Sequence, residues 1–579
     1  MDTAPPPPGG ANLYRPLSVE LRQIRLLTIL PGSFDDGVRC TLDVVSLLDS
    51  CSYETISYCW GDASLQSSIT VNCGNINVPY SAMAAVRRVR SRDRARVVWI
   101  DAICINQRDN VEKGTQVALM STIYSNGMHN LVWLGDDDVG HASAVLDYLQ
   151  SKKIQVQQAF KDREEFEEKL SQGDLGKFFR TELDHYLLRE LYDLPWFRRL
   201  WVLQEAALSR DSTCHWGSFQ VALDQLFLVS KMLYLAGGQI SIGLHTASLM
   251  YRECGVQHSG TSSRSFFRIA NRCYGFVATD LRDHVFAPLA LFLVQQPPDY
   301  VMSPLLAPDY TKTTHEVFRD ATRYALEDAT ESEDLLLRIQ HFSQQDLDNS
   351  LASWTFQFDR DIACQYQGQT ACRLDRSGFS AGVKDKRDAD RLKMLKHPVP
   401  DPNVITLHVA VLGSVSETSI ELDVQQLNKT ATLRHIVHSV HAMTQFRHEV
   451  TALVLVTERM DSHAGHYTDV AQRLKEYHLF FTSLDTDSEE LPVSMMYSPI
   501  FITVAFRRRY FRTAAGLVGC GPGIMKKGDV IVVPENASLP CVLSPVGEQY
   551  LLLGVAYVHG IMHGEVFNMD AEWKWVEIR

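Results

Sequence analysis

The part of the chain that decides most about its fold spans residues 196–205 and reads WFRRLWVLQE. In a helix, residues four apart lie on one face, so Trp201 and Glu205 would be neighbours. Two interpretations are open. In the first, the stretch is an amphipathic helix whose apolar residues enter the core while Glu205 is solvated, and the stretch taken alone favours this. In the second, Glu205 is a functional carboxylate beside an aromatic wall.

Two upstream segments support the second interpretation. Residues 53–62, YETISYCWGD, form a β-branched and aromatic run that ends in a Gly-Asp turn. Residues 97–107, VVWIDAICINQ, open as a buried strand, bring up Asp101 and lead into a helical pattern over 111–124. In an open α/β sheet, ligands bind at the carboxyl ends of the strands. Both segments therefore deliver polar groups to the place where a cleft would form.

These segments resemble the three signature blocks of fungal heterokaryon-incompatibility (HET) domain proteins of the long single-chain type. The sequence departs from the family at Lys113, where an arginine is usual, and at His563, where an acidic residue is common. The blocks are residues 53–61, residues 99–107 running on to Gln116, Met120, Ile123 and Tyr124, and residues 196–205; weaker family-like features lie at 14–17, 24–27, 281–287, 309–310 and 557–565.

The HET blocks are in turn similar, in order and residue type, to segments of Toll/interleukin-1-receptor (TIR) domains, some of which cleave NAD with a glutamate. The resemblance implies a TIR-like, flavodoxin-like α/β fold. It also implies that Glu205 is the catalytic carboxylate, and that Tyr58, Trp60, Asp101 and Trp201 bind substrate. NAD would be a substrate, and no bound cofactor is expected.

The chemistry of NAD cleavage is compatible with this assignment. Nicotinamide leaves ribose as a neutral group, so no general acid is required, and the positive charge that spreads over the sugar ring must be stabilised. One desolvated carboxylate near the ribose hydroxyls can do this, as in glycosidases. Glu205 next to Trp201 has the required composition, but fold resemblance alone does not establish an activity.

Composition excludes several classes of protein. The 579 residues predict two or three domains, and a hydrophobic content of 45% is enough for packed cores. A net charge of −13 argues against nucleic acid as a partner. The basic run at 507–509, with Arg512, is interpreted as a solvated strand edge or end.

Cysteine and histidine patterns indicate neither secretion nor a metal site. The twelve cysteines show no Cys-x-x-Cys spacing and the N-terminal residues do not resemble a signal peptide, so we expect reduced thiols and a cytoplasmic protein. No apolar run reaches the roughly 20 residues of a transmembrane helix. His435, His438 and His441 are interpreted as one polar helix face, because no acidic or cysteine ligand lies beside them.

Patterning predicts the following domain organisation. A Pro/Gly-rich disordered leader spans 1–20, and the HET domain spans 21–215 with a charged helical insertion at 152–192. A helical domain (216–345), a linker or loop (346–400) and a C-terminal α+β module rich in strands (401–579) follow. Strands of the HET domain are predicted at 24–30, 55–58, 97–100, 130–134 and 212–215.

Three functions stay open at this point. The family resemblance implies a protein of self/non-self recognition and programmed cell death, with an incompatible allelic or non-allelic partner protein and self-association through the HET core. Within that role, the core is either an NAD-cleaving enzyme or a non-catalytic signalling scaffold. The third function is recruitment to a fungal small-molecule biosynthetic pathway.

Overall fold

The structure, a computed structural model, divides the chain into two compact units, residues 1–314 and 315–579. The leader predicted at 1–20, the insertion at 152–192 and the linker at 346–400 fall largely outside the described residues, and the domain boundaries stay predictions. The described residues are 13–62, 64–72, 74–159, 188–235, 241–259, 265–273, 275–297, 299–327, 335–336, 338–348, 351–359, 379–383, 395, 399–422, 430–457, 470–484, 501–502 and 504–579.

The first unit contains a nine-stranded mixed sheet with the order β5-β4-β2-β1-β6-β3-β7-β8-β9. Antiparallel hairpins, β4–β5 and β8–β9, form its two ends. The strands are β1 (Gln23–Ile29), β2 (Arg39–Ser46), β3 (Glu54–Tyr58), β4 (Gln66–Val71), β5 (Gly74–Pro79), β6 (Arg96–Trp99), β7 (Asn130–Gly135), β8 (Ser212–Trp216) and β9 (Phe219–Ala222).

Four parallel strands form the centre of this sheet. Strand β3 lies between β6 and β7, and β7 also pairs with β8, all in parallel register. Counted along the chain, the order of these four strands is 2-1-3-4, as at the start of the flavodoxin-like order. Four of the five residues of β3 and five of the six of β7 are buried, as expected for parallel strands covered on both faces. The carboxyl ends of β3 and β6 therefore meet at one edge of the sheet.

Helices alternate with these strands and then dominate the rest of the unit. Helix α3 begins at an N-cap, Asp109, whose carboxylate accepts hydrogen bonds from the backbone amides of Val111 and Glu112. The helices are α1 (Tyr80–Val89), α2 (Asp101–Cys104), α3 (Asn110–Asn126), α4 (Ala142–Ala159), α5 (Val202–Ala207), α6 (Leu223–Leu235), α7 (Ile242–Ser259), α8 (Phe266–Arg272) and α9 (Asp283–Leu293).

The five strands predicted from sequence are confirmed as β1, β3, β6, β7 and β8. Sequence analysis did not identify β2, β4, β5 and β9. These strands carry many exposed or half-buried residues, so their hydrophobic runs are short and interrupted. These four strands lie towards the two ends of the sheet, where backbone pairing with neighbouring strands stabilises them more than burial of their side chains does.

The second unit has an eight-stranded sheet in the order β13-β14-β15-β17-β10-β11-β12-β16. An additional pairing of β13 with β10 closes β10, β13, β14, β15 and β17 into a ring. The strands are β10 (Ile405–Thr418), β11 (Arg508–Thr513), β12 (Val518–Pro522), β13 (Val530–Pro534), β14 (Cys541–Val546), β15 (Gln549–Val555), β16 (Tyr557–Val558) and β17 (Glu572–Ile578).

Apolar side chains of these strands, among them Ile531, Val542 and Leu553, form the core of the second unit. Its helices are α10 (Thr314–Glu327, beginning at the unit boundary), α11 (Gln344–Asp348), α12 (Thr430–Met443), α13 (His448–Leu455) and α14 (Val470–Ser483). The expected α/β first part, helical region and strand-rich C-terminal part are all present. Within the described ranges, no helix is long and apolar enough to cross a membrane.

One expectation for this unit is wrong in part. The basic run at 507–509 does lie at a strand end, because β11 begins at Arg508, but it is not a sheet edge, because β11 pairs with both β10 and β12, and its middle residue is not solvated. The Arg508 side chain is only 5% exposed and donates hydrogen bonds to the carbonyls of Cys520 (3.1 Å) and Val555 (2.9 Å). Sequence could not show this because the partner carbonyls belong to neighbouring strands.

The core of the first unit gives a stability prediction. Trp99, at the end of β6, is fully buried, with its ring 5.7 Å from that of Tyr124. Trp99→Ala should lower the free energy of unfolding by about 3–5 kcal/mol through cavity formation. Urea unfolding followed by far-UV circular dichroism would measure it. The control Val139→Ala, at a position 69% exposed, should change it by less than about 0.5 kcal/mol. Equal effects of the two changes would contradict the packing described here.

Candidate functional site

A cavity of about 930 Å³ lies at the carboxyl ends of β3 and β6. Trp60 follows β3, and Asp101 follows β6 as the first residue of α2. The remaining walls come from α3, from residues 193–201 and from residues 277–283 with Tyr310. A backbone bridge between Arg199 and Val277 joins the last two wall segments. The lining combines two tryptophans with several charged groups.

Arg199 is the electrostatic centre of this site. Its Nη1 donates to Oε1 of Glu205 (3.1 Å) and to the backbone carbonyl of Tyr58 (2.6 Å), and its Nη2 donates to Oδ2 of Asp101 (3.1 Å). The Arg199 side chain is 12% exposed. Burial lowers the pKa of its guanidinium, but Glu205 and Asp101 more than offset this and raise it above its ordinary value. Arg199 therefore stays charged and joins two carboxylates and the end of a strand.

Glu205 lies behind Arg199 and is enclosed. Ser57 Oγ donates to its Oε2, and Trp196 Nε1 donates to Ser57 Oγ (2.8 Å). Glu205 is 1% exposed and is not part of the cavity lining. Burial, opposed by Arg199, raises the pKa of its carboxyl from 4.5 to about 7. Glu205 thus lies one side chain behind the cavity surface.

Asp101 is the carboxylate of this group that lines the cavity. Its Oδ2 accepts from Trp60 Nε1 (2.8 Å) as well as from Arg199, and its Oδ1 accepts from the backbone amide of Ala102 (2.7 Å). Gln107 Nε2 donates to the Asp101 backbone carbonyl (2.9 Å). These contacts fix the carboxylate and the Trp60 indole relative to each other.

A second acid holds the other tryptophan of the cavity. Asp283, the first residue of α9, accepts from Trp201 Nε1 at Oδ2 (2.8 Å) and from the Tyr310 hydroxyl at Oδ1 (2.5 Å). Asp283 is 6% exposed, and burial raises the pKa of its carboxyl while both hydrogen bonds oppose that shift. Lys113 Nζ lies 4.3 Å from the centre of the Tyr310 ring. The orientation of Trp201 is therefore set by Asp283 and Tyr310, which come later in the chain than all the strands of the first sheet.

Comparison with known proteins gives the family. Residues 53–205 match the family "Heterokaryon incompatibility protein (HET)", and residues 420–574 match the "Het-6 beta-barrel domain". The chain is 25% identical to "Heterokaryon incompatibility protein 6, OR allele" of Neurospora crassa, over 96% of this chain and 97% of that protein. The chain therefore contains a HET domain. No solved structure gives a significant match.

The HET match and the cavity do not coincide. Trp60, Asp101 and Trp201 lie inside the matched residues 53–205. Residues 277–283 and Tyr310 line the same cavity and lie beyond the match. The cavity of this HET protein is thus completed by the helical part of the first unit.

The structure brings the five predicted site residues together, but in two layers. Trp60, Asp101 and Trp201 line the cavity, whereas Glu205 and Tyr58 are buried behind it. The pattern of 196–205 is also not one helix, because a 3-10 turn covers Pro195–Arg198 and α5 begins only at Val202. The Glu205 amide still donates to the Trp201 carbonyl (3.3 Å), so the predicted i,i+4 relation holds. Their functional roles stay predictions.

Sequence reasoning assigned no role to Arg199, Asp283 or Tyr310. Arg199 lies inside the WFRRLWVLQE stretch, and its positive charge among apolar residues was a sequence feature that could have identified it. Asp283 and Tyr310 lie in the family-like segments 281–287 and 309–310, but their distance along the chain hid their shared contact. A long-range side-chain hydrogen bond leaves no local pattern in a sequence.

The bridging position of Arg199 gives a second prediction. Arg199→Met would leave the carboxylates of Asp101 and Glu205 buried without their shared cation, and should lower the free energy of unfolding by about 3–5 kcal/mol. Arg198→Met, at an adjacent exposed arginine on the cavity wall, is the control and should cost less than about 0.5 kcal/mol. Adding Glu205→Gln to Arg199→Met should recover part of the loss. Equal losses for both arginines would contradict the bridging role.

The pKa of Glu205 gives a third prediction. Because this pKa is raised in the folded protein, the folded state retains a proton that the unfolded state releases between about pH 4.5 and 7. The stabilising contribution of Glu205 is complete below that window and is lost as the pH rises through it. The melting temperature of the wild type should therefore fall relative to that of Glu205→Gln between pH 5 and 8. Parallel profiles would show that Glu205 keeps an ordinary pKa.

Proposed function

We propose that this HET protein acts in fungal self/non-self recognition leading to programmed cell death, and that its HET domain cleaves NAD at the nicotinamide–ribose bond. An incompatible protein partner triggers the response, and self-association through the HET core accompanies it. Family membership and the relative from Neurospora crassa support the first part. The arrangement of Asp101, Arg199 and Glu205 beside a tryptophan-walled cavity supports the second.

The position of the cavity supports binding of a nucleotide. It lies at the carboxyl ends of β3 and β6, where open α/β sheets bind ligands. Its volume of about 930 Å³ is within the range of small-molecule and cofactor sites. The 2-1-3-4 order of the parallel strands is compatible with a TIR-like core, and TIR domains include NAD-cleaving enzymes.

Arg199 gives the proposed reaction its order of events. In the structure Arg199 holds both Glu205 and Asp101. Because guanidinium binds phosphate in a bidentate manner, the diphosphate of NAD competes with these carboxylates for Arg199. Release of Arg199 opens the way from the cavity to the Glu205 carboxylate. The positive charge that develops on the sugar then takes the place of the guanidinium and keeps Glu205 ionised, while the bond between the sugar carbon and the nicotinamide nitrogen breaks and nicotinamide leaves as a neutral group. Water then adds to the sugar carbon and loses one proton to solvent, which gives ADP-ribose.

The burial of Glu205 favours a second candidate function, a non-catalytic signalling scaffold. Both of its oxygens are already paired, to Ser57 and to Arg199, as in a structural buried ion pair. In that case the cavity has a binding role, and the HET domain transmits assembly without chemistry. Glu205 then affects stability alone.

Nicotinamide release from NAD, followed by chromatography, separates the two candidates. The purified full chain, concentrated to favour self-association, is incubated with NAD as wild type, Glu205→Gln and Asp101→Asn. Each carboxylate change keeps size and some hydrogen bonding but removes charge, so the enzyme model predicts at least about a 100-fold loss of turnover in both. Asp211→Asn, at an exposed acid of the first unit outside the cavity wall, is the matched control and should retain activity.

Melting temperatures distinguish loss of chemistry from loss of folding. A drop in turnover for Glu205→Gln at a near-native melting temperature supports the electrostatic role. No release from the wild type at any protein concentration, or full turnover in both carboxylate variants, would overturn the enzyme function in favour of the scaffold.

A further inference from the structure

The cavity contains two tryptophans with the same local chemistry. Trp60 Nε1 donates to Asp101 Oδ2, and Trp201 Nε1 donates to Asp283 Oδ2, each at 2.8 Å. Both indoles line the cavity, and both are half-buried. Neither ring contacts the other or any further aromatic ring of the described residues. Two oriented indole faces are therefore available to a ligand.

A carboxylate at the indole nitrogen favours a cationic ligand on the ring face. The face of an aromatic ring carries negative potential, and tryptophan is the strongest of the aromatic residues in cation–π binding. A hydrogen bond from the N–H to an anion shifts electron density into the ring and strengthens that potential. Two such indoles in one cavity differ from an ordinary apolar wall, which would favour a neutral ring because removing a cation from water costs free energy.

We propose that Trp60 and Trp201 form a cation-selective aromatic site for a planar pyridinium ring, with Asp283 and Tyr310 as positioning residues. The inference rests on the proposed function, because oxidised NAD carries such a ring and the reduced form does not. Beyond the proposed function, it specifies that the recognised ring is positively charged. It also assigns a role to Asp283 and Tyr310, which lie outside the HET match. The positioning residues act through Trp201 and do not touch the ring.

Asp283 is the better positioned of the two acids for this role. Asp101 is bridged by Arg199, which draws part of its negative charge away from Trp60. Among the described residues, Asp283 has no ion pair with an arginine; its oxygens accept from Trp201 and Tyr310, and the charge of Lys113 acts on it without an ion pair. The Tyr310 ring also lines the cavity, but Lys113 (4.3 Å) and the Arg282 guanidinium (5.1 Å) already lie against it, so it does not bind a cationic ligand. Trp201 is thus the stronger cation-binding face.

Two small probes that differ in charge test this site on the full chain. 1-Methylnicotinamide carries the pyridinium cation, and nicotinamide is the neutral ring of similar shape. Calorimetric titration of the wild type should show 1-methylnicotinamide bound about 3- to 30-fold more tightly than nicotinamide. Trp201→Phe, which keeps a ring but removes the N–H, and Asp283→Asn, which removes the charge, should each lower that ratio towards one. Tyr310→Phe should lower it less.

Two controls and a second readout make the result decisive. Trp575→Leu, at a tryptophan 41% exposed in the second unit, and Tyr300→Phe, outside the cavity wall, should leave the ratio unchanged. A wild-type ratio near one, no saturable binding of 1-methylnicotinamide, or an unchanged ratio in both Trp201→Phe and Asp283→Asn would overturn the proposal. Nicotinamide release from NAD is scored separately. A preference for the cationic probe without nicotinamide release supports the aromatic site and overturns the enzyme function. Nicotinamide release without such a preference supports the enzyme function and overturns the aromatic site.

Discussion

The site depends on one interaction, the pairing of the Arg199 guanidinium with two carboxylates that enter from different parts of the sheet. Asp101 comes from the end of β6 and Glu205 from α5, and the third acceptor is the last carbonyl of β3. A buried charge without such partners would cost several kcal/mol. The bridge therefore ties three elements at the point where they must be held for a cavity to form.

The cavity also depends on chain beyond the HET match. Val277 pairs with the backbone around Arg199, and Asp283 holds the Trp201 indole. A HET domain ending near residue 215 would lose one wall and the orientation of Trp201. The helical part of the first unit is therefore part of the site, and its sequence can tune what the cavity accepts without changing the three signature blocks.

The central sheet could be predicted from sequence because its parallel strands are buried on both faces and read as short apolar runs, as in β3 and β7. The site residues Trp60, Asp101 and Trp201 could be predicted because each follows such a strand or lies in a family block. The flanking strands β2 and β5 could not, because half-exposed strands have weak patterns. Burial of Glu205 and of Arg508 could not either, because their partners are far away in sequence.

Two carboxylates on either side of one arginine, an enclosed Glu205 and a cavity-lining Asp101, differ from a simple catalytic acid. Glu205 has a pKa near neutrality, so its charge depends on whether Arg199 is present, whereas Asp101 is fixed by Trp60 and a backbone amide. Any ligand that draws Arg199 away raises the pKa of Glu205 and favours its protonation unless a cation replaces the guanidinium. A pyridinium nucleotide carries both parts, phosphates for Arg199 and a cation for the cavity. In the proposed function, the resting ion pair and the two tryptophan faces therefore recognise two parts of the same molecule.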